Sequence, residues 1–386
     1  MATTTSVAPQ ASPAPAKAPE WAPRMWQGCD FFAWLRMLLH NRAAVEWRYL
    51  YIAVIDTVVS FNNTLLKLVQ DVVFGRAVRK TQIAAPPLFI LGHWRTGTTL
   101  LHDLLICDER FGYPNTYQCL NPCHFLLTER VFTRLFQTLM PSRRPMDNMK
   151  MGFDRPQEDE FALALLTGDA SPYVSIAFPN HPPQCQEYLD LARLPESRKR
   201  RWQRTLLQFL KQVTYKTGKR LVLKSPPHTA RIAVLREMFP DALFLHIVRD
   251  PHVVYPSTVN LWRTLYQAHG FQTPNLAGLE EQVLDTFVTM YQRLEEGKKL
   301  LAPGHFYELR YEDLTRDPAG ELAKVYEHFQ LGGFERFRPR LEAYLATIKG
   351  YETNRYRLTP EQRELLSQRW GDVIRRYGYD TPGERP

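Results

Sequence analysis

Residues 87–105, PLFILGHWRTGTTLLHDLL, constrain the fold more than any other stretch of the chain. Leu88 to Leu91 is a short unbroken apolar run, the pattern of a buried parallel strand, and it stops at a glycine-punctuated turn from Gly92 to Gly97. Leu100, Leu101, Leu104 and Leu105 then recur at helical spacing. Strand, tight loop and helix in this order aim free backbone N–H groups and a helix N-terminus at one point, which makes an anion site before any side chain is counted. Gly92 and Gly97 have the spacing of a Walker A loop, but Thr98 stands where a nucleotide triphosphatase carries its lysine. The cation lies inside the loop instead, as Arg95. A guanidinium there can grip a phosphate–sulfate bridge, and no metal is needed.

The same plan recurs three times. Residues 220–223 read as a strand, and Pro226 and Pro227 stop it and start a helix over 230–238, leaving Lys224 at the strand's carboxyl end. Carboxyl ends of parallel strands are where open α/β sheets bind ligands. A third strand, 242–248, ends at Arg249-Asp250-Pro251 and leads into a helix carrying Ser257; a fourth, 305–309, leads into Arg310-Tyr311-Glu312-Asp313-Leu314 and a helix over 318–329. Four alternations predict an α/β domain over 83–386, a parallel sheet covered by helices on both faces.

Ahead of that domain, residues 1–24 are rich in Ala, Pro, Ser and Thr and read as a disordered tail without the basic and apolar regions of a secretory signal. Residues 25–82 read as a helical N-terminal extension. In its second half Val54, Val58, Phe61, Leu65, Leu68 and Val72 step by three or four, with Asp56, Asn63, Lys67 and Gln70 marking the opposite side. The expected arrangement is a helix packed on the domain; a membrane-surface helix or a homodimer contact is the alternative. Asp56, Asn62, Asn63 and Lys67 interrupt it too often for a transmembrane span.

The net charge of +9 points to an anionic ligand or surface. Residues 193–224 hold eleven Lys or Arg against one acid, Glu196, and so account for the excess. That run is either a solvated helix face or a dock for acidic lipid, acidic substrate or phosphates; no nucleic-acid module accompanies it, so no nucleic-acid partner is expected. Five cysteines, Cys29, Cys107, Cys119, Cys123 and Cys185, form no even framework and point to a reducing, cytoplasmic setting, with membrane association as a variant. Cys119, Cys123 and His124 lack a second pair at zinc-like spacing and read as packing.

Two further stretches bear on chemistry. Residues 112–122, GYPNTYQCLNP, read as a turn-rich connection passing near the mouth of the site. Glu158, Asp159 and Glu160 follow a proline at the start of an apolar-faced helix, where the helix dipole favours acids; one of them could also be a general base for an acceptor hydroxyl.

Taken together, these motifs resemble the sulfotransferase family, which moves a sulfuryl group from 3′-phosphoadenosine 5′-phosphosulfate (PAPS) to an alcohol, phenol or amine. Arg95-Thr96-Gly97-Thr98-Thr99 resembles the family's 5′-phosphosulfate loop, Arg249 with Ser257 its 3′-phosphate site, Lys224 its catalytic lysine, and Arg310-Tyr311-Glu312-Asp313-Leu314 its adenine-side element, with Tyr311 as the binding residue. The likeness spans about 88–330, with a looser match near 354–358. It implies a P-loop-like fold, PAPS as co-substrate without a metal, and a hydroxyl-bearing acceptor, small or lipid-like. It also implies in-line transfer, with Arg95, the loop N–H groups and Lys224 stabilising charge on the leaving oxygen.

The chain departs from the family at the base. The small-molecule branch places a histidine two residues after its lysine; here Pro226 stands there and His228 follows two residues later. The tyrosyl-protein branch shares the loop arginine and has a glutamate shortly after the first helix, but 113–118 contain no acid. The base therefore stays open among His228, Glu158, Asp159 and Glu160, with the acidic cluster preferred. Two other classes stay open: a degenerate P-loop nucleotide kinase or triphosphatase, which would need magnesium, and a non-catalytic membrane-surface binding protein.

Overall fold

Strand burial on both faces explains the apolar runs. In the computed structural model, which describes residues 24–136, 152–348 and 356–380, five strands form one parallel sheet. They are β1 (Leu88–Leu91), β2 (Phe111–Gly112), β3 (Arg220–Lys224), β4 (Leu243–Val248) and β5 (Phe306–Arg310), in the order β2-β3-β1-β4-β5. Alternation along each strand sends Phe89, Leu91, Leu223 and Phe244 into one core and Leu88, Ile90, Val222 and Leu245 into another. A sheet buried on both sides needs side chains of this kind at every position, which is why β1 and β4 read as continuous runs. The tail expected over 1–24 lies, Arg24 apart, outside the described residues, as do Asn354 and Arg355 of the looser motif.

Fourteen helices surround the sheet among the described residues. In chain order they begin with α1 (Phe31–His40), α2 (Leu50–Lys80), α3 (Thr98–Leu105), α4 (Thr116–Leu120), α5 (Phe125–Phe136), α6 (Asp159–Thr167) and α7 (Glu196–Thr217). They continue with α8 (Ile232–Met238), α9 (Pro251–His269), α10 (Leu279–Lys298), α11 (Tyr311–Arg316), α12 (Pro318–His328), α13 (Phe334–Thr347) and α14 (Pro360–Arg376). Leu101, Leu314, Leu322 and Leu341 close one face from α3, α11, α12 and α13. The larger core on the other face gathers Trp202, Leu235, Tyr255, Phe287 and Trp370, and also Trp26, Trp34 and Ile52 from the N-terminal helices. The stretch read as a turn-rich connection holds the last residue of edge strand β2 and α4, which starts at an Asn115–Gln118 capping box.

α2 overturns the expectation of its inward face. Val54, Val58, Phe61, Leu65, Leu68 and Val72 are exposed, whereas Asp56, Ser60, Asn63 and Gln70 are buried. The reason is what lies beneath. Asn63 Nδ2 donates to the carbonyls of Gln27 (2.6 Å) and Cys29 (2.9 Å), and its Oδ1 pairs with His124 Nε2 (3.1 Å). Gln70 donates to the Cys123 carbonyl (3.0 Å) and accepts from the Leu126 N–H (2.8 Å); Thr64 Oγ1 accepts from the Phe31 N–H (2.9 Å). These are backbone groups at helix ends, without partners inside their own helices, so polar side chains satisfy them better than apolar ones.

On α7 the basic run is largely paired: Arg198 with Glu187 (2.7 Å), Arg200 with Glu196 (2.9 Å), Arg201 with Asp169 (2.9 Å) and Lys216 with Glu129. Trp202, Leu206 and Phe209 bury the opposite face. This is the solvated-face arrangement.

Candidate active site

Sheet register sets the site. Ile90 pairs with Lys224, Leu91 with His246 and Val248 with Arg310, so the Gly92–Gly97 loop leaves β1 between Lys224 and Arg249 at the sheet's carboxyl edge. The glycines are needed there. Gly97 has φ +100, and a Cβ on it would sit 2.3 Å from Tyr311 Cδ2; one on Gly92 would sit 2.6 Å from Thr96 Oγ1. Arg95 also adopts a positive φ, 71°, which bends the loop around the start of α3. Thr96 Oγ1 donates to the His93 carbonyl (2.7 Å), and the Gly92 N–H donates to Thr229 Oγ1 (2.8 Å), tying the loop to the turn after β3.

The expected donor-site residues meet around this loop. Arg95 Nε donates to Ser257 Oγ on α9 (2.8 Å), and Arg249 Nη1 donates to the Arg95 carbonyl (3.1 Å). The Arg249 guanidinium lies 4.1 Å over the Tyr311 ring. On the other side Lys224, 2% exposed at its side chain, reaches Thr99 Oγ1 (3.4 Å) and pairs with Glu158 Oε1 (2.8 Å).

The three consecutive acids separate. Glu158 precedes α6 and faces Lys224, and its second oxygen accepts from Tyr173 OH (2.5 Å), which accepts in turn from Trp94 Nε1 (2.9 Å). Asp159 turns into the core, where it meets His228 Nε2 (2.7 Å) and accepts from Ser225 Oγ (2.9 Å). Burial pushes the Asp159 carboxyl up, but His228 and Ser225 outweigh it and hold the group below the ordinary carboxylate range. Glu160 forms a fully buried pair with Arg231 (2.5 and 3.0 Å) and accepts from Ser171 Oγ (2.6 Å). Thus Glu158 sits beside Lys224 and the loop, whereas Glu160 and His228 are engaged with core partners.

Sequence reasoning passed over Tyr173, Trp94 and Thr229, which hold Glu158 and the loop in place. Trp94 lies inside the motif itself, which is a signal for it; Tyr173 and Thr229 meet their partners only through the fold. Burial and the neighbouring Glu158 push the Tyr173 phenol well above its ordinary range, so it stays a donor. Cys119 and Cys123 are buried, and His124 bonds Asn63 and Thr128 Oγ1 (2.8 Å); no group of three His, Cys, Asp or Glu suited to a metal occurs among the described residues.

Three cations and a helix N-terminus converge beside one carboxylate at the edge of a parallel sheet. That is a P-loop-like arrangement suited to holding an anionic group. Residues 86–336 match the model of the sulfotransferase family, and the chain belongs to that family. It is 50% identical over 367 residues to the omega-hydroxy-beta-dihydromenaquinone-9 sulfotransferase Stf3 of Mycobacterium bovis, and equally to that of Mycobacterium tuberculosis, covering 95% of this chain and 94% of each relative. Among solved structures, sulfotransferase STF9 from Mycobacterium avium superposes with a TM-score of 0.64 at 19% identity, over 90% of this chain and 96% of that one. STF1 from Mycobacterium tuberculosis H37Rv superposes with 0.58 at 19%, over 89% and 92%. Those two establish the P-loop-like fold. The protein is an enzyme that transfers a sulfuryl group to a hydroxyl acceptor, and neither the nucleotide kinase nor the non-catalytic reading is favoured.

Proposed function

We propose that the sulfuryl donor is PAPS, that the acceptor is a lipid-like alcohol such as a hydroxylated menaquinone, and that Glu158 is the base. The observation that carries this reading is Lys224, which touches both the loop hydroxyl of Thr99 and the Glu158 carboxylate. The residues present fit the donor: a Cβ would fill the cradle at Gly97, and cations and hydroxyls flank it on both sides. PAPS, when bound, supplies a sulfuryl group on a phosphate leaving group. Arg249 and Ser257 bind the 3′-phosphate, and Tyr311 backs the adenine side. Arg95, Thr96, Thr98, Thr99 and the backbone N–H groups from Gly97 onward hold the 5′ end. Lys224 stabilises the charge that grows on the leaving oxygen, and Glu158 accepts the proton of the attacking hydroxyl. Tyr173 orients Glu158 through its hydrogen bond.

The acceptor class rests on the name of the 50% identical relatives, and the buried surroundings of Glu158 are aromatic. Tyr173 packs on Phe161 at 5.0 Å and on Trp262 at 5.9 Å between ring centroids, and Trp94 packs on Trp262 at 5.4 Å. Calorimetric titration with adenosine 3′,5′-bisphosphate, beside ADP with magnesium, on wild type and Arg249→Ala tests the donor. Selective binding of the bisphosphate, lost in the variant, is expected; preference for ADP–magnesium, or binding of neither, would overturn it. Transfer from PAPS to a hydroxylated menaquinone, offered beside a phenol and a sugar, tests the acceptor, and faster turnover of either competitor would refute it.

A further inference from the structure

α2 turns its polar side to the body of the protein and its apolar side outward. Val54, Val58, Phe61, Leu65, Leu68 and Val72 are exposed, Val72 to 85%, and so are Phe32 and Leu39 of α1 and Val131 and Leu135 of α5, the two helices that pack against α2. Phe31 joins the first two helices, its ring centroid 6.2 Å from that of Phe61. From Leu50 to Val73 the helix carries this face for about 35 Å at 1.5 Å per residue. An apolar surface of that extent on a folded protein marks a partner.

Charge identifies the partner. Exposed cations rim the face: Arg42 and Arg48 at one end, Arg76, Arg79 and Lys80 at the other, and Arg130 and Arg134 on α5. Asp71 is the one exposed acid on α2. An apolar strip edged by cations fits acyl chains flanked by anionic headgroups. A second copy packed about a two-fold axis would bring this cationic rim against itself. Trp47, 81% exposed, and Tyr51 stand at the start of the helix, where amphipathic aromatics settle at headgroup depth.

The segment Trp47–Lys80 is long and apolar enough to cross a bilayer, but crossing would strip Asn63, Thr64 and Gln70 from the backbone groups they satisfy. We propose that the face formed by α2 with α1 and α5 seats the enzyme on the surface of a bilayer containing anionic lipid, with α2 in the plane of the interface. This seat needs neither donor nor acceptor, so it is tested apart from the proposed activity.

Flotation with vesicles of phosphatidylcholine mixed with phosphatidylglycerol reads the binding directly. The full-length protein is expected to float with the mixed vesicles, less with phosphatidylcholine alone, and Val58→Glu/Leu65→Glu is expected to lower the bound fraction at least about tenfold. Both positions are exposed, so an unchanged melting temperature should accompany the loss. A second variant, Arg76→Glu/Lys80→Glu, removes the preference for phosphatidylglycerol if the rim reads headgroup charge. Failure of the wild type to float, equal flotation of the apolar-face variant, or a lipid-free dimer in sedimentation velocity that the same substitutions split would each overturn the proposal.

Discussion

At the scale of single residues, Glu158 and its neighbours show how three adjacent acids take three different surroundings. The acids were legible as a cluster at a helix start; that only Glu158 faces Lys224 was not, because the choice depends on where Tyr173, Ser225 and Arg231 arrive from distant segments. Glu158→Gln is expected to lower kcat by about 10²–10⁴ while leaving calorimetric binding of adenosine 3′,5′-bisphosphate within a few-fold of wild type. Glu160→Gln should instead lower thermal stability, since it leaves Arg231 buried with half of its ion pair. Equal kinetic losses in both variants with no change in stability would remove Glu158 from its proposed role. At Gly97 the expected outcome of Gly97→Ala is lost donor binding together with roughly 1–3 kcal/mol of stability, read by urea unfolding, because φ +100 and the Tyr311 ring both oppose a Cβ.

At the scale of elements, α2 carries a cost that its inverted mounting creates. Asp56 is buried on its inner face, and the Gln27 side chain nearby meets neither carboxylate oxygen at good hydrogen-bond geometry. Burial pushes its carboxyl up to about 7, against the Gln27 side chain and the charge of Arg24. The folded protein therefore holds a proton there that the unfolded chain has released above about pH 4, so the contribution of Asp56 to stability falls as pH rises from about 4 to 7. Asp56→Asn should remove that fall and raise stability at pH 8 by on the order of 1–3 kcal/mol, measured as melting temperature against pH. A melting curve with the same pH slope in wild type and variant would show that Asp56 is already solvated. The periodicity of α2 was legible in the sequence, but the direction of its faces was not, because helical spacing fixes only that two sides differ.

At the scale of the whole molecule, the first and last described helices pack around one sheet. The N-terminal helices join the larger core, and α14 is fastened to the sheet through Tyr377 OH, which donates to Glu308 Oε2 on β5 (2.8 Å), the oxygen that also meets His246 Nδ1 on β4 (2.7 Å). Burial would raise the Glu308 carboxyl, but His246, Lys298 and Tyr377 hold it down to about 2. Its contribution is thus present above about pH 4.5 and lost as pH falls towards 2. Glu308→Gln is expected to cost on the order of 2–3 kcal/mol at pH 7 and to flatten acid unfolding over that window, as read by circular dichroism. The sequence by itself determined four of the five strands, the loop and the family; edge strand β2, two residues long, carries no apolar run that could announce it. Apolar runs bounded by glycine and proline admit few folds, and Arg95, Lys224, Arg249 and Ser257 stand at fixed distances along the chain from those strand ends. Only the tertiary structure decided which acid meets the lysine and which face of α2 meets the core. Both depend on long-range partners that local periodicity does not encode, and on whether the groups beneath a helix are apolar side chains or unpaired backbone.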